Sequence, residues 1–248
     1  MADAPKTLDG WYTLHDFRTI DWTSWRTLAE SERREILTEL RTLTDTCTAD
    51  ARDKVGSYGQ YAIAGHKADL LFLHMRPTIE ELTELKTKFN KTRFAEFTDA
   101  PYSYVSVVEL GAYLAKPGVD VETDPHLQSR LKPTLPDMSH VCFYPMNKKR
   151  EGNDNWYMLS SEERGRMMMS HGTIGRGYAE RVKQIITGSI GLDDWEWGVT
   201  LFANDPLEFK KLVHEMRFDE VSARFAEFGP FLVGHSLTEQ GFDDLMQV

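Results

Sequence analysis

Two side chains in the second half of the chain have the chemistry for redox or metal-binding work, Tyr144 and His171. Tyr144 ends an apolar run, and Pro145 turns the chain out of the sheet directly after it. The phenol is therefore predicted to lie near the end of a strand, where functional sites often form. A tyrosine packed in the core with its hydroxyl bound to the backbone has the same pattern, so Tyr144 alone does not decide the matter.

His171 lies in a predicted helix and precedes Gly172, a small neighbour that would let a flat ligand approach. The eight histidines include no pair four residues apart, and none forms a metal-ligand spacing with glutamate on one predicted helix. A bare zinc or di-iron site is therefore poorly supported. One imidazole suffices for iron when a macrocycle supplies the other ligands, as in haem proteins. A partly exposed helix histidine without a ligand is the other interpretation.

The distribution of charge along the chain indicates which kind of ligand the protein could bind. The 248 residues carry a formal net charge of -10, which argues against nucleic acid as a partner. Against this acidic background, the run Lys148-Lys149-Arg150 follows closely after Tyr144. Local positive charge in a negative chain is typical of a site for a small anionic ligand, and a solvated loop is the plainer alternative.

The composition predicts a soluble, cytoplasmic protein. No stretch approaches the roughly 20 apolar residues of a membrane span. The first residues have neither the basic and apolar pattern of an export signal nor the arginine-rich pattern of a transit peptide. Cys47 and Cys142 fall in apolar surroundings far apart in the chain, which favours buried free thiols.

The elements that must position these residues follow the same order twice. The first half predicts strands at about residues 10–18, 61–65, 70–75 and 102–110, with helices ending near Cys47 and over 79–89. The second half predicts strands at 141–144, 185–189, 195–202 and within 225–233, with helices over about 162–182 and 206–216. Each half reads as a β-α-β-β-α-β unit of the ferredoxin-like kind.

Residues 116–139 contain four prolines and little periodicity, so we interpret them as a connector between an N-terminal half (1–115) and a C-terminal half (140–248). A capping box at Ser160 to Glu163 and an N-cap in Asn204-Asp205-Pro206 predict two helix starts in the second half. Two such units can cover their apolar faces by packing together. We therefore expect an α+β fold, with two ferredoxin-like repeats forming a subunit of the dimeric α+β barrel type.

Six long stretches of the sequence together resemble one known protein family, and they are more specific than any single motif. They are TLDGWYTLHDFRTIDW, GHKADLLF, YSYVSVVEL, CFYPMNKKREGNDNWYML, SHGTIGRGYAERVKQIITGSIGLDDWEWGVTLF and EMRFDEVSARFAEFGPF. In these stretches, over nearly its whole length, the chain resembles the Firmicute-type coproheme decarboxylases of the chlorite dismutase-like superfamily. The resemblance implies two ferredoxin-like halves, a porphyrin in the C-terminal half only, and a homopentamer.

The resemblance also implies a reaction. Iron coproporphyrin III would lose carbon dioxide from two of its four propionates, giving haem b, with hydrogen peroxide as oxidant. His171 would be the axial ligand, Tyr144 the residue oxidised to a radical, and Lys148 the proton donor for the second decarboxylation. Contacts to the propionates or to the distal face would come from Arg130, Met146, Gln184, Tyr113, Arg217 and Ser222. Guanidinium groups suit such a substrate because they bind carboxylates in a planar fork.

Two other functions stay open on the sequence. Chlorite dismutation would use the same fold and haem, but that branch has a distal arginine where this chain has Gln184. A haem-binding chaperone or sensor would leave Tyr144 passive. A coproporphyrin ferrochelatase that delivers the substrate is a further expected partner, through transient contact.

Overall fold

The computed structural model describes residues 4–112 and 118–247. Within these ranges the first half has the predicted order of strands and helices. Its elements are β1 (Thr7–Ile20), α1 (Trp22–Thr27), α2 (Glu30–Arg52), β2 (Ser57–Ile63), β3 (Leu70–Arg76), α3 (Ile79–Asn90) and β4 (Thr98–Gly111).

The second half repeats this order with additional short pieces. Its elements are α4 (Pro125–Leu131), β5 (His140–Lys148), β6 (Arg150–Glu151), β7 (Asp154–Asn155), α5 (Ser161–Gly177), β8 (Val182–Gly188), β9 (Trp197–Ala203), α6 (Leu207–Met216), α7 (Glu220–Phe225), β10 (Ala226–Phe228), β11 (Leu232–Ser236) and α8 (Glu239–Met246).

The two halves join into one closed antiparallel barrel. The first half has the strand order β2-β3-β1-β4, and the second has the matching order β8-β9-β5-β11. The outer strands then pair across the halves, β4 with β8 and β11 with β2. Both halves have the strand order of a ferredoxin-like unit, so the expected α+β fold class is confirmed.

Five local features differ from the sequence expectations. Strand β5 runs from His140 to Lys148 and stays paired with β9 at Pro145 and Met146, so the prediction that Pro145 turns the chain out of the sheet was wrong and Tyr144 lies in mid-strand. The proline can stay in the strand because only its missing N–H is lost from the ladder. The connector holds a short helix, α4, capped by the Asp124 side chain. Helix α5 ends at Gly177, five residues early. The last predicted strand is split into β10 and β11 around Gly229 and Pro230, because proline cannot donate a ladder hydrogen bond.

The fifth difference concerns the start of α6. Pro206 is the N-cap residue, so the helix begins at Leu207. The Asp205 carboxylate nevertheless accepts a hydrogen bond from the Leu207 backbone N–H at 2.9 Å. The aspartate thus satisfies a helix N–H as predicted, one residue out of register.

Alternation along the strands divides the core into an inner and an outer layer. Inside the barrel, buried residues from both halves pack together, including Phe17, Tyr104, Phe143 and Phe202. Outside, the first half packs the other face of its strands against α2, α3 and the C-terminal helix α8, and the second half packs its outer face against α6. The outer layer of the second half contains Tyr144.

No helix among the described residues combines the length and the apolar character needed to cross a membrane.

Candidate functional site

Helix α5 carries His171. It is held in place by a capping box at its start and by the buried side chain of Met167, one turn before the histidine. The capping box predicted for its start is present: Ser160 Oγ accepts from the Glu163 N–H at 3.2 Å, and Glu163 Oε2 accepts from the Ser160 N–H at 3.0 Å. Met167 is buried against Val221 and Phe225. His171 follows one turn later on the adjoining part of the same face, so its ring is directed toward α7.

The ring of His171 is oriented by a carboxylate. Its Nδ1 lies 3.0 Å from Asp219 Oδ2, and the aspartate side chain is nearly inaccessible to solvent. Because a carboxylate accepts hydrogen bonds, this contact assigns the ring proton to Nδ1 and leaves Nε2 with its lone pair. Burial lowers the pKa of His171 more than Asp219 and its hydrogen bond raise it, so the imidazole is neutral at pH 7. A neutral imidazole is the form that binds a metal ion.

Asp219 is itself fixed by the backbone. It is the N-cap of α7, and its Oδ1 accepts hydrogen bonds from the N–H groups of Val221 and Ser222. Burial alone would raise the pKa of Asp219, but the hydrogen bonds from Ser222 and the neighbouring His171 lower it below its ordinary value. The partner of His171 is therefore an anion held in place by the start of a helix.

These donors fit an iron porphyrin and do not fit a bare metal ion. Among the described residues, no group of three or more histidine, cysteine, aspartate or glutamate side chains is placed to hold a metal. One oriented imidazole with a carboxylate behind it is the arrangement found at haem iron, where the macrocycle supplies the other four ligands.

Two rows of side chains share the outer face of the sheet in the second half. Tyr144, Val199 and Ile186 lie in register on neighbouring strands and share the outer face, and Cys142, Leu201 and Gln184 form the next row. Ile186 is 45% exposed even though it lies in mid-strand. A Cβ atom added to Gly175 would lie only 3.6 Å from Gln184 Nε2, so the Gln184 side chain reaches α5 one turn beyond His171.

Tyr144 lies in an aromatic environment at the other side of this face. Its ring stacks on Phe231 with a centroid separation of 4.6 Å, and Phe228 lies at 5.6 Å. Burial raises the pKa of the Tyr144 phenol well above its ordinary value, although the charge of Arg217 acts in the opposite direction. The Arg217 guanidinium lies 4.5 Å from the Phe228 ring. The phenol is thus protonated at any working pH.

Lys148 occupies the same face of β5 as Tyr144, four residues on, since alternate side chains of a strand point the same way. Lys148 is buried, and burial lowers its pKa to about 8 although Asp219 and Glu196 raise it. Its ammonium lies 5.1 Å from the centre of the Trp156 ring. Of the basic run noted in the sequence, Lys148 is therefore the member that adjoins the His171–Asp219 pair.

The other predicted site residues fall into three groups. Met146 lies between Tyr144 and Lys148 on β5, and Gln184 and Arg217 lie near the same face. Ser222 is close to His171, but its backbone and its hydroxyl both hydrogen-bond Asp219.

Arg130 and Tyr113 are not brought to the site by any described contact. Arg130 lies in the last turn of α4, which packs against β1 and β4. Tyr113 lies outside the described residues. Both assignments stay predictions.

Sequence reasoning missed Asp219, which lies 48 residues from His171 in the chain. A local signal was present. An aspartate that directly precedes Glu220 and Val221 is typical of a helix N-cap, and the capping role fixes where its carboxylate points.

The outer faces of both halves are largely covered. In the first half, residues of α2, α3 and α8 form a continuous apolar cluster with the strands. In the second half, Phe209 and Leu212 of α6 pack in one cluster with Tyr144 and Val199, and Ile186 is the exposed member of that row.

A comparison with protein families gives one match that covers most of the chain. The sequence profile of the chlorite dismutase family matches residues 23–237. Among solved structures, the chain is similar to a novel heme-binding protein from Thermus thermophilus, with 46% identity and a TM-score of 0.95 over 100% of this chain and 99% of that one.

More distant structures show the same fold. A chlorite dismutase variant from Candidatus Nitrospira defluvii is 20% identical, with a TM-score of 0.76 over 96% of each chain. A protein described as a putative chlorite dismutase is 14% identical, with a TM-score of 0.75 over 97% of this chain and all of that one.

Proposed function

Because the chain belongs to the chlorite dismutase family, we propose that it binds iron coproporphyrin III in its C-terminal half and converts it to haem b. In this reaction two propionates lose carbon dioxide and become vinyl groups, with hydrogen peroxide as oxidant. The observation that carries the proposal is the His171–Asp219 pair, with Lys148 adjoining Asp219 and Tyr144 on the same face of β5 as Lys148. The 46% identical relative, which is a heme-binding protein, supports the porphyrin part of the proposal.

The overall chemistry balances with one peroxide for each propionate. The propionate, one hydrogen peroxide and one proton give a vinyl group, carbon dioxide and two water molecules. When bound, the porphyrin iron reacts with peroxide and supplies the two oxidising equivalents that each decarboxylation needs. The protein has to hold the substrate, carry the oxidation to the propionate and supply the proton.

Tyr144 would carry the oxidation. It loses one electron and its phenolic proton, then takes a hydrogen atom from the β-carbon of a propionate and becomes a phenol again. Loss of a second electron from the substrate releases carbon dioxide. The apolar rings around Tyr144 suit this role because they exclude water from the phenol.

Lys148 would supply the proton for the second decarboxylation. A pKa near 8 lets the ammonium act as an acid and be recharged from solvent at neutral pH. Tyr113, Arg130, Met146, Gln184, Arg217 and Ser222 would contact the propionates or the distal face.

The proposal also covers the roles of the two halves, the oligomeric state, the cellular location and a partner protein. We place the porphyrin in residues 140–248, with 1–115 as a half without cofactor and 116–139 as the connector. The subunits would form a homopentamer in the cytoplasm and receive coproheme through transient contact with a coproporphyrin ferrochelatase.

The direct test is the visible spectrum and the mass of the protein-bound porphyrin before and after peroxide. Stepwise loss of two carboxyl groups, one per peroxide added, is the expected result. Simple bleaching or an unchanged porphyrin would overturn the decarboxylase and leave a haem-binding chaperone or sensor. Evolution of oxygen from chlorite would instead identify a chlorite dismutase.

A further inference from the structure

The loop between β10 and β11, residues 229–231, ends on the ring that stacks against Tyr144. Phe231 and Tyr144 are nearly parallel, with an angle of 28° between their planes at 4.6 Å. Neither the sequence motifs nor the proposed chemistry assigns a role to Phe231. Its backbone is held at both ends, and its ring also lies 6.1 Å from Phe228.

One end of the loop is fixed to the strand that carries Tyr144. The Gly229 N–H donates to the Pro145 carbonyl at 2.8 Å. A Cβ atom at position 229 would lie 2.7 Å from Pro145 Cγ and 2.9 Å from Trp195 Cζ2, so only glycine allows this approach. The loop therefore follows β5 closely at the residue after Tyr144.

The other end is held by the N-terminal half. Lys67 Nζ donates to the Phe231 carbonyl at 2.8 Å, and the Ala64 N–H donates to the Val233 carbonyl at 2.8 Å. Both donors belong to the turn between β2 and β3. Strand β11 continues this contact by pairing with β2, where a Cβ atom at Gly234 would lie 2.1 Å from the Ala62 carbonyl oxygen.

From these contacts we infer that Phe231 is a positioning residue for Tyr144 and that the β2–β3 turn of the N-terminal half holds it in place. The inference rests on the proposed role of Tyr144 in decarboxylation. A stacked ring blocks rotation and sideways displacement of the phenol, and misplacement of a reacting group by about 1 Å lowers a rate by about a hundredfold. The half without a cofactor thus takes part in the chemistry of the other half by holding its reactive side chain.

The test compares Phe231→Leu with Phe231→Tyr, which keeps the ring. In the apo protein, the ring protons of Tyr144 are assigned by the loss of their NMR signal in Tyr144→Phe. Stacking displaces these signals from their random-coil position, and we expect Phe231→Leu to remove the displacement while Phe231→Tyr keeps it. With coproheme and peroxide, Phe231→Leu is expected to bind within about twofold of wild type and to decarboxylate about tenfold to a hundredfold more slowly.

Phe209→Leu is the matched control, because Phe209 belongs to the same apolar cluster but makes no ring contact with Tyr144 among the described residues. It is expected to lower stability and leave the Tyr144 signal unmoved. If Phe231→Leu does not fold, Phe231→Met replaces it. An unmoved Tyr144 signal in Phe231→Leu, or equal loss of rate in Phe231→Tyr and Phe231→Leu, would refute the role.

The part played by the N-terminal half is tested with Lys67→Met. We expect the Tyr144 signal to shift in the same direction as in Phe231→Leu, by a smaller amount. Lys86→Met, which removes an exposed lysine of α3, should leave the signal unchanged. If the Tyr144 signal is the same in Lys67→Met as in wild type, the β2–β3 turn does not hold Phe231 in place and that part of the inference is refuted. The NMR measurements need no porphyrin, so they remain decisive even if the wild-type protein does not decarboxylate coproheme.

Discussion

Asp219 joins two structures that would otherwise be independent, because one carboxylate caps α7 through Oδ1 and orients the His171 ring through Oδ2. The position of the imidazole is therefore set by the start of a helix that lies far away in the sequence. This coupling makes the ligand set sensitive to a residue that never touches the porphyrin in the proposed function.

Asp219→Asn removes the negative charge beside His171 but keeps a residue that can cap α7. Asparagine is as good an N-cap as aspartate, so α7 should remain intact. With its oxygen still capping α7, the asparagine presents an NH2 group to His171 Nδ1, so the imidazole loses its hydrogen-bond acceptor together with the negative charge. The imidazole is then a weaker donor to iron, and we expect the iron–histidine stretching frequency of the ferrous complex to fall and porphyrin affinity to drop about tenfold to a hundredfold. Resonance Raman spectroscopy gives the first quantity and titration with coproheme the second. An unchanged stretching frequency would argue against the His171–Asp219 pair as the proximal ligand system.

His171→Ala should remove the protein ligand altogether. We expect a changed visible spectrum of the coproheme complex and weaker binding, partly restored by added imidazole. His126→Ala, which changes an exposed histidine of α4, is the control. His171 would be ruled out as ligand by a spectrum identical to that of wild type.

Tyr144→Phe should bind coproheme with its affinity intact and lose decarboxylation by about a thousandfold or more, since the phenol is the group that takes hydrogen from the substrate. Mass spectrometry of the porphyrin after peroxide measures this directly. Full product formation by this variant would exclude the radical role.

Lys148→Met should retain the first decarboxylation and slow the second by about 10²–10⁴-fold, because methionine fills similar space without a proton to donate. A porphyrin that has lost a single carboxyl group should then accumulate. In the wild-type protein the acid form of Lys148 is present below its pKa of about 8, so the second step should slow above that pH. Equal slowing of both steps would contradict a role confined to the second.

Acid should destabilise the fold through His15, which is fully buried inside the barrel and hydrogen-bonded to Thr200 at 2.8 Å. Burial lowers its pKa from the ordinary value of 6.5 to about 3. The unfolded chain therefore binds a proton that the folded chain does not, and stability present above pH 6.5 is lost as the pH falls toward 3, by about 1.4 kcal/mol per pH unit.

The paired substitution His15→Phe with Thr200→Val tests this, because replacing both partners leaves no polar group unpaired. Urea unfolding at several pH values gives the free energy of unfolding as a function of pH. Between about pH 3 and 6.5, the slope of this dependence should be smaller in the double variant than in wild type by the equivalent of about one proton. The same slope in both proteins would contradict the prediction.

The sequence allowed the fold class to be predicted because strand and helix periodicities are local, and both repeats show them clearly. The sequence predicted a barrel-type subunit but not which strands close it, since β4 and β8 pair only at Val107 and Val108 against Gly188 and Thr187, a contact between segments with no local signal for each other. The helices that cover the outer face of the first half could not be assigned either, because the pattern of α2 does not show which strands it packs against.

For the site, the sequence and the family resemblance indicated His171, Tyr144 and Lys148. Asp219 and Phe231 went unnoticed for a physical reason. Each acts on its partner across tens of residues of chain, through an orientation that exists only when α7 and the loop at 229–231 are folded.

The ring of strands has a further effect on how this protein can associate. Most strands of the ring have a partner on both sides, but β4 and β8 pair with each other only at Val107 and Val108 against Gly188 and Thr187. Residues 98–106 of β4 and 182–186 of β8 therefore have a strand partner on one side only. Edge-to-edge sheet extension, the common route from a β-rich fold to fibres, is blocked along most of the ring and has its longest open backbone edges, among the described residues, at these two segments.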